Sequence, residues 1–183
     1  MLKLTLFGIC CSFDFWFFAQ LFVCALFLSG QQAAFLLLCA GHEAAHLLAA
    51  CALGEQVTAL RFRAGSIAMQ TAGVPSAARC KAISAAGPLF NLAAAAVLLA
   101  AGCEQAARFS LVLAFFNLLP AGDTDGAVLC SSCCKTLRAA AAAACCCALV
   151  WLILRMRFAA SGQTLLAVLL FFLTSLPSAW EKE

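Results

Sequence analysis

From Ala33 to Leu53 the chain is almost wholly apolar and long enough to cross a bilayer, yet its middle reads Gly41-His42-Glu43-Ala44-Ala45-His46. A spanning helix of ~20 residues bonds its backbone internally and tolerates ionisable side chains only where they face protein or a wet cavity. Any fold for this chain must therefore bury His42, Glu43 and His46 against other elements at membrane depth. The remaining sequence is suited to the same solvent. Hydrophobic residues make up 66% of it and charged residues 10%, against roughly 25% charged in a soluble domain. That excludes a water-soluble domain and leaves little of the chain outside the bilayer. A net charge of +3, scattered along the sequence, excludes nucleic acid as a partner.

The pattern predicts a polytopic, all-α membrane bundle of about six transmembrane helices with a small membrane-associated β-hairpin or sheet. The spans fall at about Phe13–Ser29, Ala33–Leu53, Ser76–Ala101, Arg108–Leu119, Ala139–Leu154 and Gln163–Leu176. Gly54 and Gly102 stand where C-caps belong, and Ser76 is a candidate N-cap. Met1 to Cys11 reads as a short surface strand or the start of a helix. Gln56 to Gln70 alternates polar and apolar around Ala64-Gly65, a hairpin signal. Lys3 is followed by an apolar run that carries Asp14 and lacks a small-residue cleavage site, so the N-terminus reads as retained. Loop charge places the N-terminus in the cytoplasm, with Lys3, Arg61, Arg63, Arg79, Lys81, Lys135, Arg138 and Lys182 inside and Arg108, Arg155 and Arg157 outside.

The two histidines of the HExxH segment are the only two in the chain. Four residues apart on a helix, they share a face and reach one ion, with Glu43 beside the open coordination position. Two imidazoles, a carboxylate and a water around zinc form a hydrolytic centre, in which the metal acidifies the water and a Glu takes its proton. The third ligand must be an acid at membrane depth. Asp14, Glu55, Glu104, Glu181 and Glu183 lie at span ends or in the tail, which leaves Asp123 and Asp125 after the helix break at Pro120.

Three segments together carry a family resemblance. His42-Glu43-Ala44-Ala45-His46 is similar to the HExxH of the site-2 protease family of intramembrane zinc metalloproteases. Ala86-Gly87-Pro88-Leu89-Phe90-Asn91 resembles its AGPxxN element, and Asn117-Leu118-Leu119-Pro120 through Asp125-Gly126 resembles its NxxPxxxLDG segment. The compact size and leading strand favour its stage IV sporulation factor B-like branch. The resemblance implies one zinc held by His42, His46 and Asp125, with Glu43 as general base. It implies that Asn91 and Asn117 orient substrate or the metal-binding loop, and that Asp123 faces the cavity. It also implies that the hairpin adds an edge strand to an extended substrate. Thr124 stands where the family has Leu, Ala127 where it has a second Gly, and Ala121-Gly122 where the run is richer in Pro. None of these removes a ligand.

The expected organisation is one membrane-embedded domain over residues 1–183, its catalytic core at about 1–129 and an added transmembrane hairpin at 139–183, without PDZ or CBS domains. The expected activity is hydrolysis of a peptide bond, in or near the bilayer, of a membrane-associated protein substrate such as a transcription-factor precursor or anti-sigma factor. A multi-pass position in a bacterial cell membrane, active site toward the cytoplasm, goes with it. A divalent-metal transporter or sensor, and an inactive scaffold, are the competing readings. Cys130-x-x-Cys133-Cys134 and Cys145-Cys146-Cys147 read as small hydrophobes in packing, without disulfides.

Overall fold

The structure, a computed structural model, describes residues 2–6, 8–26, 30–63, 66–122 and 124–155. The chain divides into two compact units, one formed by the stretches up to Leu28 and Gln56–Val74, the other by Ser29–Glu55 and Pro75–Arg157. The expected sixth span at Gln163–Leu176 lies outside the described residues, as does Asp123.

The first unit holds strands β1 (Leu2–Leu6) and β2 (Ile9–Phe13), helix α1 (Phe15–Leu26), and strands β3 (Val57–Arg63) and β4 (Ser66–Thr71). The strands form one mixed sheet in chain order. β1–β2 and β3–β4 pair antiparallel, and β2–β3 pair parallel with Cys11 opposite Leu60 and Phe13 opposite Phe62. The predicted hairpin is thus present, and the leading segment takes its strand alternative. Phe13, which composition assigns to the first span, is a strand residue instead. Its ring stacks on Phe62 at 4.5 Å, and Phe17 of α1 closes on the same ring at 5.5 Å. Cross-strand aromatic pairing of this kind holds a register that apolar content alone leaves open. Asp14 then starts α1, its N–H donating to Phe62 O and its Oδ1 accepting from the Phe15 N–H at 2.7 Å.

The second unit is helical: α2 (Gly30–Ala52), α3 (Ala77–Ala100), α4 (Glu104–Asn117), the short α5 (Asp125–Leu129) and α6 (Lys135–Arg155). α3 packs against α2, α4 and α5, while α4 also meets α6. Their shared core contains Phe35, Leu38, Ile83, Ala95, Phe109, Val112, Leu113 and Leu152. On α2 the buried positions Phe35, Leu38, His42 and Ala50 share a stripe, whereas Leu37 is 72% exposed and Leu48 68%. His42 thus faces inward while Leu37 and Leu48 face outward, a distribution that a helix in water would not favour and a lipid solvent accepts.

Both capping glycines behave as predicted. Gly54 and Gly102 take φ of 76°. After α2, Gly54 N–H donates to Cys51 O and Glu55 N–H to Ala50 O. After α3, Gly102 N–H donates to Leu99 O and Cys103 N–H to Leu98 O. These paired bonds satisfy carbonyls that a helix end otherwise leaves open. Ser76 caps α3, accepting from the Arg79 N–H. Among the described residues, three helices are long and apolar enough to cross a membrane: Ala33–Ala52, Ala77–Ala100 and Lys135–Leu152. The expected fourth span starts earlier and stops sooner. α4 has 14 residues, a rise of about 21 Å against a hydrocarbon core of ~30 Å. Its buried Phe109, Ser110, Val112 and Leu113 make it a core helix.

The left-handed glycines give a stability prediction. Gly102→Ala should cost about 1 kcal/mol, measured by thermal unfolding in detergent, whereas Gly73→Ala, with ordinary φ and open space around it, should leave the midpoint unmoved.

Candidate metal centre

His42 and His46 on α2 are met by side chains and backbone of α3 and α5, with α4 bracing α3 behind them. The two imidazoles project from one face of α2, their Nε2 atoms 3.1 Å apart, and Asp125 at the start of α5 brings Oδ2 to 3.3 Å from each. Tetrahedral ligands at ordinary zinc bond lengths stand about 3.3 Å from one another, so the three donor atoms already form one face of such a site. Among the described residues this is the cluster of His, Cys, Asp and Glu side chains that could hold a metal ion.

The cradle is a row along α3, one residue per helical turn. Ile83, Gly87 and Asn91 are all buried and spaced by four, so they face α2 together. Ile83 O accepts a hydrogen bond from His46 Nδ1 at 2.7 Å. That bond places the His46 proton on Nδ1 and leaves the Nε2 lone pair for a ligand bond. Next in sequence, Pro88 lacks the N–H that would bond Ser84 O, so this stretch of α3 is already departing from a closed helical ladder. Gly87 lies directly behind the imidazoles. A Cβ there would sit 2.6 Å from His42 Nε2 and nearer still to His46 Nε2, so any side chain would occupy the site itself. Asn91, fully buried, sets its amide 3.0 Å from His42 Nδ1. From α4, the buried Ser110 hydroxyl donates to Asn91 O at 2.8 Å.

Asp125 is delivered by a break and a very short helix. α4 ends at Asn117, and Gly122 takes φ of 62° beyond Pro120. Thr124 caps α5: its Oγ1 accepts from the Ala127 N–H and lies 2.9 Å from Ala121 O, within donating reach of Leu119 O also. A Leu could make none of these bonds, so Thr at this position supplies a cap that an apolar residue would not. Gly126 is required as well, because a Cβ would stand 2.6 Å from Leu119 O and closer to Leu118 O. Beyond α5, Arg138 donates to Cys130 O and Ser131 O, and Lys81 from α3 bonds Ser132. The Arg138 guanidinium on those two carbonyls suits the negative end of a helix.

The other expected site residues are placed as follows. Glu43 is half-buried and adjoins His42 in sequence. Asn117 donates from Nδ2 to Leu113 O within its own last turn, at the root of the loop leading to Asp125. The described cysteines are free thiols. Cys130 and Cys133 close a turn through Cys133 N–H and Cys130 O, and burial, followed by the Cys133 thiol, pushes the Cys130 thiol up. That is the opposite of an activated thiolate. Sequence reasoning missed Gly87, the Ile83 carbonyl and Ser110. The four-residue spacing of Ile83, Gly87 and Asn91 was the available signal.

No protein-family model and no curated protein matches the chain. Among solved structures, the site-2 protease from Methanocaldococcus jannaschii resembles it with a TM-score of 0.57 and 18% sequence identity, over 95% of this chain and 94% of that one. Similarity at that identity is similarity of fold.

Two substitutions test the cradle. Gly87→Ala should abolish stoichiometric metal binding, measured by elemental analysis of purified protein, while circular dichroism retains the helical content. Thr124→Val should weaken metal binding about fivefold, the loss of a typical cap bond of ~1 kcal/mol, and Thr124→Ser should restore it.

Proposed function

We propose that this chain is a zinc metalloendopeptidase of the site-2 protease type, hydrolysing a peptide bond of a membrane-associated protein within or near the bilayer. The observation that carries the reading is the triangle of His42 Nε2, His46 Nε2 and Asp125 Oδ2, with edges of 3.1–3.3 Å, next to Glu43. The fold resemblance supports it independently.

His42, His46 and Asp125 would hold the ion. When bound, zinc acts as a Lewis acid on a carbonyl oxygen and lowers the pKa of a water. The protein supplies the rest. His46 is held in its ligating tautomer by Ile83 O, and Asp125 is aimed by the Thr124 cap. Glu43, one residue from a ligand and half-buried, takes a proton on its carboxylate and gives it to the departing amine, the part a general base plays when positioned within reach of the reacting water. The surrounding apolar helices limit water, which strengthens each charge interaction inside. A substrate helix must unwind before its carbonyl can be reached, since helical carbonyls are engaged by backbone N–H groups.

Substrates of the proposed class include membrane-tethered transcription-factor precursors and anti-sigma factors. A metal transporter or sensor needs ionisable groups stepping along a path. Here the metal-competent cluster among the described residues is compact and braced from α3 and α4. An inactive scaffold would need no paired bracing of its histidines.

The experiment is cleavage of a tethered membrane substrate by purified protein, with and without a zinc chelator. Glu43→Gln should keep zinc and lose cleavage by at least about 100-fold. Asp125→Ala should lose zinc and cleavage together. Full proteolysis by the Glu43→Gln protein would remove Glu43 from the mechanism.

A further inference from the structure

His42 and His46 are braced differently, and the difference concerns a single proton. His46 has a backbone carbonyl on its Nδ1, which can only accept, so its tautomer is fixed. His42 has an amide on its Nδ1, which can do either. With Nδ2 facing the ring, the amide donates to Nδ1 and the His42 proton resides on Nε2. Asn91 Nδ2–H then donates to His42 Nδ1, His42 Nε2–H lies between His46 Nε2 at 3.1 Å and the Asp125 carboxylate at 3.3 Å, and His46 Nδ1–H donates to Ile83 O. In that arrangement His42 cannot be a ligand, because its Nε2 lone pair is spent on a proton. Asn91 Oδ1 is meanwhile buried with no hydrogen-bond partner, a cost of ~1–3 kcal/mol. Nothing besides His42 therefore pins the amide in either sense, while Ser110 fixes the backbone that carries it.

We infer that Asn91 is the positioning residue of His42, and that its amide reverses when the site takes up metal. Oδ1 turns to accept from His42 Nδ1–H, and the Nε2 lone pair becomes a ligand. The Asn91 side chain thus selects between a form of His42 whose Nε2 carries a proton and a form whose Nε2 can ligate. Half a turn about the Cβ–Cγ bond exchanges oxygen and nitrogen in nearly the same volume, so a fully buried residue can make it. This rests on the metal-centre reading above and assigns Asn91 a contact with His42 in place of an orienting role toward substrate.

The test uses the chain's two histidines, since histidine-selective 15N labelling of the full protein in detergent gives a spectrum of this site alone. Without metal, wild-type His42 should show an unprotonated Nδ1 and a protonated Nε2. After titration with zinc, Nδ1 should be protonated. Asn91→Asp, an acceptor of the same shape with no donor, should hold His42 in the Nδ1–H form before zinc is added and keep wild-type or tighter zinc affinity in a chelator competition. Asn91→Leu should lose about 10–100-fold in that affinity. If Asn91→Asp is as weak as Asn91→Leu, or if wild-type His42 carries its proton on Nδ1 with and without zinc, the inference is overturned. If wild-type protein binds no zinc at all, the metal-centre reading itself fails.

Discussion

The close approach of α2 and α3 at Gly87 is the contact on which the site depends. Because no side chain intervenes there, two imidazoles from α2, set edge to face at 85°, can approach α3 closely and be bonded from behind, His46 by Ile83 O and His42 by Asn91. In a lipid-like interior an unpaired polar group is expensive, since no water replaces a missing partner. The row Ile83, Gly87, Asn91 answers that cost at three successive turns with an acceptor, a gap and an amide. Ser110 extends the bracing to α4, which explains why a helix too short to span is nonetheless among the best buried. Metal ligands are useful only when their second nitrogen is held, and here holding and burial are achieved by the same helix face.

The third donor is solved in another way. A carboxylate on a continuous helix would point where the helix dictates. The chain instead ends α4, turns through Pro120 and Gly122, and restarts for five residues with Asp125 first. A helix so short has little stability of its own, so its direction comes from tertiary contacts: the Thr124 cap onto the preceding turn, the close seat of Gly126 on Leu118 and Leu119, and the bonds from Arg138 and Lys81. The Thr124 hydroxyl, accepting from the Ala127 backbone N–H, is what caps this short helix.

Some of this was readable in advance. The hairpin, both glycine caps, the Ser76 cap and the pairing of His42 with His46 follow from local patterns: alternation, φ preference and helical spacing; spacing left Asp123 and Asp125 both open, and the resemblance to the site-2 protease segment pointed to Asp125. The four-stranded extent of the sheet did not, because the parallel pairing of β2 with β3 joins segments more than forty residues apart and is sealed by Phe13 on Phe62. The run expected as a fourth span forms the 14-residue α4, which is not among the three described helices long enough to cross a membrane, and an apolar run records burial without recording whether lipid or protein does the burying. Asn91 was legible as a polar residue in an apolar helix, but its partner was not, since that depends on which turn of α2 lies opposite.

By itself the sequence determined the solvent, the donor chemistry and the residues competent to supply it, because charge scarcity and one-turn spacing are local properties. The tertiary structure alone decided which atoms face one another. Helix register brings Gly87 behind the imidazoles, aims Oδ2 of Asp125 at both Nε2 atoms, and gives His42 a reversible partner where His46 has a fixed one. Hydrogen bonds and ligand bonds act over about 3 Å, and no pattern along a chain fixes positions across a helix interface to that distance.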